Sequence, residues 1–381
     1  MSESPDVLIV GGGLIGLAIA WRASALGLRV TVADPHPGEG ASWAAAGMLA
    51  PVSEAHFGEE ALTRLHLASA EAYPAFIEEL EAETGAGCGY RRCGALVVGF
   101  DADDMRVLDD LAQLQRRLGL AFDRLSGRAC RELEPMLAPA VSGGLHVPGD
   151  HQVDNRRLVR ALIAAVERRA TLLRRRVAGV VIASGRVEGV TLDDGSSLAA
   201  PAVVLAAGCW SRDLAGLPSH LLPPVRPVKG QILRLQGPVE PPLFGGTIRW
   251  LTQGSPGYVV PRASGEIVVG ATAEERGFDT EVTVGGVLQL LRDAYQVVPG
   301  ITEAVLAESR AGLRPGSPDN APLIGVTEVD GLVIATGHHR NGVLLTPITA
   351  RAVAALLATG EADPAVAGFA PGRFRVPVTT T

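Results

Sequence analysis

The sequence predicts a mixed α/β protein in which a Rossmann-type nucleotide-binding domain is interleaved with a second, β-rich domain. Three observations carry this. The run DVLIV at residues 6–10, closed by Gly11–Gly13, leads into helical apolar spacing over Leu14–Leu26 and then into LRVTVA at 28–33, which is one βαβ unit. Short apolar runs with Gly, Pro and Asp-Gly punctuation fill residues 176–275. The chain then returns to a strand, GLVIATG, and a helix at about 342–358.

The elements follow in order. DVLIV is uniformly apolar, as expected of a parallel strand covered on both faces. Gly27 is a natural stop for the first helix. Helical segments at about 58–83 and 102–119 flank a strand in RRCGALVVGF, and NRRLVRALIAAVER gives a helix at 155–168. RVAGVVI, GRVEGVTL and SSLAA form a small meander through the turns ASG and DDGS, followed by AVVLAAG. KGQILRL, GTIRWL, GYVVPR and GEIVVGATA are strands, and a helix covers 284–296. Nucleotide-type elements therefore occur at the start, the middle and the end. This places residues 1–84, 140–220 and 310–381 in one domain and 85–139 and 221–309 in the other.

Composition narrows the function. Hydrophobic residues are 47%, charged residues 20% and the net charge is −7, a globular chain without the basic stripe of a nucleic-acid binder. Glycines interrupt the apolar stretch Val7–Ala20 and no basic residue precedes it, unlike a secretory leader. No uncharged apolar run is long enough for a membrane span. Cys88, Cys93, Cys130 and Cys209 are too few for a disulfide scaffold and lack metal-site spacing, so a cytoplasmic protein without a bound metal is expected.

Gly11-x-Gly13-x-x-Gly16 directly follows the first strand and opens the first helix. Gly11 permits the tight turn, Gly13 admits a pyrophosphate, Gly16 lets helix and strand pack, and the helix N-terminus faces the phosphates. Asp34, closing the second strand, suits a ribose hydroxyl pair. Three later features favour FAD over NAD. The small-residue run ASWAAAGMLA (41–50) lets backbone lie along an extended cofactor, AVVLAAGCWS adds a second glycine turn at Ala207 and Gly208, and ATGHHRNGV adds a third. No second GxGxxG is present for a pyridine nucleotide.

The segments VLIVGGGLIGLAIA, SWAAAGMLAP, VKGQILRL, GYVVPR, AGLRPGSPDNAPLIG and ATGHHRNGVLLTP resemble the glycine oxidases of the D-amino-acid oxidase family, the branch associated with bacterial thiazole (thiamine) biosynthesis. They run from residue 7 to beyond 350. The resemblance implies a second domain built on an antiparallel sheet flanked by helices. It also implies FAD contacts from Leu14, Ile15, Asp34, Pro35, Ala41, Ser42, Ala46, Gly47 and Met48, from the backbone of Val177 at the adenine, and from His338, His339, Arg340, Asn341, Gly342, Val343 and Leu344 around the flavin. Related sarcosine oxidases attach flavin through a C-terminal cysteine. None follows Cys209 here, so non-covalent FAD is expected. Relatives are often tetramers, which makes a homo-oligomer the expectation.

Removing a hydride from an amino-acid Cα requires a carboxylate anchor, a neutral amine and the flavin, but no side-chain nucleophile or metal. Arg314 is the candidate anchor, because a guanidinium holds a carboxylate with two parallel hydrogen bonds; a surface or interdomain salt bridge is its bland alternative. Tyr258 is a second carboxylate ligand or else half-buried core. The resemblance places Arg340 at the substrate, and Met48 against flavin or substrate. His338 and His339 are structural or flavin-lining, since a neutral amine needs no general base. The last helix, from Gly342, points its positive end at the flavin. The implied reaction takes glycine, O2 and water through an imine to glyoxylate, ammonia and H2O2. Ala273, where the family has a bulkier residue such as Met, leaves sarcosine and small D-amino acids open as substrates of an oxidase or dehydrogenase.

Overall fold

The structure, a computed structural model, describes residues 4–252 and 254–374. Residues 1–3 and 375–381 of the expected first domain lie outside the described residues. The first βαβ unit is Val7–Val10 (β1), Leu14–Ala25 (α1) and Val30–Ala33 (β2). These strands sit in a six-stranded sheet ordered Leu323–Val326, Leu332–Thr336, Ala202–Leu205, β1, β2, Thr171–Leu173. All its pairs are parallel except Leu323–Val326 against Leu332–Thr336.

Both faces of this sheet are covered, which is why β1 is apolar throughout. Val7 and Ile9 pack with Leu17, Tyr73, Leu80, Leu162 and Val353 from the helices α1, Glu60–Thr84, Asn155–Arg169 and Thr346–Thr359. Leu8 and Val10 pack with Val180, Val190 and Leu205 against the three-stranded meander Val177–Ala183, Arg186–Leu192, Ser197–Ala199. Burial of each such side chain contributes about 1.5–3 kcal/mol.

The second sheet has eight strands in the order Val305–Gly316, Arg226–Gln236, Glu266–Gly270, Ser255–Pro261, Thr247–Thr252, Ala95–Gly99, Gly143–Val147, Asp123–Ser126. Its pairs are antiparallel except Thr247–Thr252 with Ala95–Gly99. Two of its strands, Gly143–Val147 and Val305–Gly316, draw in residues that sequence placed with the nucleotide-binding elements. Period-2 alternation divides its faces. Leu233, Leu235, Ile248, Val259 and Val269 face the helix Val284–Val297. Ile232, Val260 and Val268 face the other way, onto Ala46 and Met48.

The last helix differs from expectation. It begins at Thr346, not at Gly342. Pro347 fits its first turn, where no N–H is needed. Ahead of it, the Val343 and Leu344 carbonyls accept from Tyr73 Oη (3.1 Å) and Ser69 Oγ (2.6 Å) on the long helix Glu60–Thr84. Residues 342–345 are thereby held as turns.

Candidate active site

A cavity of about 1600 Å³ runs from α1 to the inner face of the eight-stranded sheet. It exceeds the roughly 300–1000 Å³ of a drug-sized pocket, which leaves room for a dinucleotide and a substrate together. Gly11, Gly13, Leu14, Ile15, Asp34 and Pro35 form one end. Gly11 has φ +108°, and a Cβ there would lie 2.4 Å from the Ala206 carbonyl oxygen. A Cβ on Gly16 would meet the Gly11 carbonyl, so Gly16 serves helix–strand packing behind the cavity wall. Gly13 is the N-cap of α1 and brings no side chain to the helix end; Ser42 Oγ takes the Leu14 N–H there, and the positive end of the helix faces the cavity. The Asp34 carboxylate accepts from Gly12 N and His36 N, both at 2.7 Å, and is fixed at the cavity edge. This cradle fits a dinucleotide pyrophosphate and its ribose.

Ala41, Ser42, Ala46, Gly47 and Met48 line the next stretch, Ser42 Oγ accepting from Leu14 N at 2.9 Å. Val177, Ala207 and Gly208 close the opposite wall. From the third glycine turn, His338, His339, Arg340, Gly342 and Val343 reach the cavity, whereas Asn341 and Leu344 do not. Leu344 is a core residue at 1% exposure, and Asn341 spends its carbonyl on Leu345 N at 2.8 Å. His338 Nε2 pairs with Thr349 Oγ1 at 3.0 Å, and burial lowers its pKa to about 3. His339 is lowered to about 4, first by burial and then by Arg340 and Arg314. Both imidazoles are neutral near pH 7.

At the sheet end, Arg314, Tyr258, Met48 and Ala273 share the cavity wall with Arg340. Arg314 lies flat over Gly230, where a Cβ would sit 2.3 Å from its Nη1. Its Nη1 donates to the Thr272 carbonyl at 3.1 Å. Burial lowers its pKa while Tyr258 supports its charge. Among the described residues no carboxylate pairs with Arg314, so the bland alternative, a surface or interdomain salt bridge, is not what the fold makes. Tyr258 stands over Gly270, and burial raises its hydroxyl while Arg314 lowers it. Arg340 is exposed at the rim.

Sequence reasoning missed a further polar wall. Arg249 stands opposite Tyr258 in strand register, pairs with Glu54 at 2.9 Å and donates to Ser53 Oγ at 2.7 Å. Asp150, raised to about 6 by burial, accepts from Val52 N and Ser53 N, each at 3.0 Å, and pins that loop. The alternation in GTIRWL against GYVVPR was the available signal for Arg249. Glu54 sits on a loop and offered none. Cys209 lines the cavity too, its thiol pushed up to about 12 by burial.

Comparison with known proteins agrees with this geometry. The family model described as FAD dependent oxidoreductase matches residues 6–356. The chain is 35% identical to the bifunctional protein ThiO/ThiG of Trichormus variabilis over 99% of its own length and 56% of that protein's. It spans about half the length of the first such relatives. It is also 35% identical to glycine oxidase of Geobacillus kaustophilus, with 95% of each chain covered. The crystal structure of glycine oxidase from Geobacillus kaustophilus superposes with a TM-score of 0.88 over 98% of this chain and 99% of that one. The glycine cradle and the elongated cavity have the shape and room that an FAD would need, and the chain belongs to the FAD dependent oxidoreductase family.

Proposed function

We propose that the protein oxidises glycine to the imine, which water converts to glyoxylate and ammonia while O2 is reduced to H2O2, and that other small amino acids react in the same way to their own oxo acids and amines. When bound, FAD supplies the acceptor for the Cα hydride. Carrying the reading is one observation: Arg314 is a desolvated guanidinium on the cavity wall with no carboxylate in ion-pair contact among the described residues, only the more distant charge of Glu54. Such a cation is costly unless an anion joins it, and a substrate carboxylate is the anion of matching shape. The Tyr258 hydroxyl donates to the same carboxylate. Arg340 at the rim holds the outer side of the substrate and offers its backbone carbonyl to the amine. Met48 and Ala273 bound the Cα substituent. Neutral His338 and His339 leave the amine's proton to solvent.

The two sheets support a division into an FAD-binding unit (1–84, 140–220 and 310–381) and a substrate-binding unit (85–139 and 221–309), apart from the strands that cross it. With no cysteine after Cys209, FAD is held non-covalently. The relatives named ThiO/ThiG support a place in thiazole biosynthesis. Four free cysteines suit a reducing cytoplasm, and the exposed apolar Val284, Leu288 and Tyr295 suit a homo-oligomer. No helix among the described residues is long and apolar enough to cross a membrane.

A peroxide assay across glycine, sarcosine and D-alanine tests the activity. Arg314→Ala should raise KM for glycine by about 100-fold, the scale of truncating one partner of a buried charge pair, with the yellow FAD absorbance retained. Unchanged KM would remove Arg314 as anchor. Release of all yellow colour on denaturation is expected of non-covalent FAD, and retained colour would refute it.

A further inference from the structure

Behind the stretch Ser42–Met48 lies a set of buried donors that the reaction does not use. Asn155 is fully buried, and its Nδ2 donates to the Ser42 carbonyl at 2.8 Å and the Trp43 carbonyl at 3.1 Å. Arg234, 2% exposed, sends Nη2 to the Ala45 carbonyl at 3.3 Å and Nη1 to Glu266 at 2.6 Å. Arg262, 5% exposed, reaches the Ala46 carbonyl with Nη2 and holds Gln152 (2.7 Å) and the Val153 carbonyl (2.9 Å) with Nη1. Val153 N takes the Gly47 carbonyl at 2.9 Å.

In a trans peptide the C=O and the following N–H point in opposite directions. Drawing the Ala45 and Ala46 carbonyls back onto Arg234 and Arg262 turns the Ala46 and Gly47 N–H groups the other way, toward the cavity that both residues line. Among the described residues neither N–H has a recorded acceptor, although both residues are buried. A buried N–H without a partner is costly and rare in folded proteins. Burying two guanidinium groups beside one strap is costly as well, and their hydrogen bonds to its carbonyls compensate for it.

We propose that Arg262 and Arg234 are positioning residues for FAD: they set the peptide planes at 45–47 so that the Ala46 and Gly47 N–H groups donate to an acceptor edge of the bound cofactor. Neither arginine lines the cavity. Guanidinium geometry is required, because Arg262 must serve Ala46 and the Gln152–Val153 pair at once, which the single nitrogen of a lysine does not. This rests on the cofactor alone, and stands whatever the substrate is.

The test measures FAD affinity by flavin fluorescence on reconstitution of the wild type, Arg262→Lys, Arg262→Met and Arg234→Lys. Affinity should fall about tenfold or more in each variant, the scale of one charge-assisted hydrogen bond, and further in Arg262→Met than in Arg262→Lys. The urea midpoint of the FAD-free variants should stay near that of the FAD-free wild type. Affinities within twofold of wild type would overturn the proposal. If Arg262→Met does not fold, amide hydrogen exchange in the wild type decides: FAD should slow exchange at Ala46 and Gly47, and equal exchange with and without FAD would overturn it.

Discussion

At the scale of single residues, this site is read from what each side chain lacks as much as from what it touches. Arg314 has a carbonyl and a tyrosine but no carboxylate, and Gly230 beneath it is the residue that lets the guanidinium lie flat. Motif residues were legible in the sequence because their chemistry depends on local spacing: Gly11, Gly13 and Asp34 do their work within one βαβ unit. Glu54 and Arg249 were not legible, because their pairing joins a loop to a distant strand. Ala273 is also on the wall, and under the proposed function it bounds the substrate's Cα substituent. Ala273→Met should lower kcat/KM for D-alanine and sarcosine relative to glycine by about tenfold, since a few methylenes in a pocket are worth that much discrimination. Steady-state peroxide kinetics on the three substrates reads this, and an unchanged ratio would place Ala273 away from the substrate.

Elements were legible wherever one period dominated. The helices Ala102–Arg117 and Asn155–Arg169 and the strands of the meander lie where apolar spacing put them. The strand Val305–Gly316 was harder to see, because charged and small residues, ESRAG, interrupt its apolar positions at the edge of the sheet. The last helix starts late because Pro347 suits its first turn and side chains of another helix capture the carbonyls of residues 343 and 344; the second of these is a tertiary effect that the local apolar spacing does not record. The helix Val284–Val297 has two faces. Leu290, Ala294 and Val297 are buried against the large sheet, while Val284 and Leu288 are 85% and 64% exposed. A second copy of the chain is the proposed cover for that outer face. Leu288→Lys should shift the sedimenting species toward the 39.5 kDa protomer, and a wild type already sedimenting as the protomer would refute the assembly.

For the whole molecule, buried ionisable groups set how stability changes with pH. Burial lowers His338 to about 3, and His66 and His339 to about 4, from 6.5. Between about pH 6.5 and 4 the unfolded chain therefore binds protons at these three sites that the folded chain does not. Stability falls as pH falls through that window. Asp150, whose folded pKa near 6 lies above its ordinary 3.8, acts in the opposite sense, as do Asp104 and Glu134, which burial also raises; His151, lowered by burial, and the arginine-paired Asp6, Glu83 and Glu308, lowered by their partners, act with the three histidines. The urea midpoint should drop between pH 7 and pH 5, and His338→Asn should flatten the dependence. A midpoint that rises on acidification would contradict this balance.

The order of strands in the six-stranded sheet also has a bearing on synthesis. Val7–Val10 and Val30–Ala33 leave the ribosome early, but Ala202–Leu205 keeps an open edge until Leu332–Thr336 has been translated. An open parallel edge is a template for pairing with other chains. The nascent protein thus carries an unfinished sheet through most of its translation, and only the strands Leu332–Thr336 and Leu323–Val326 cover that edge.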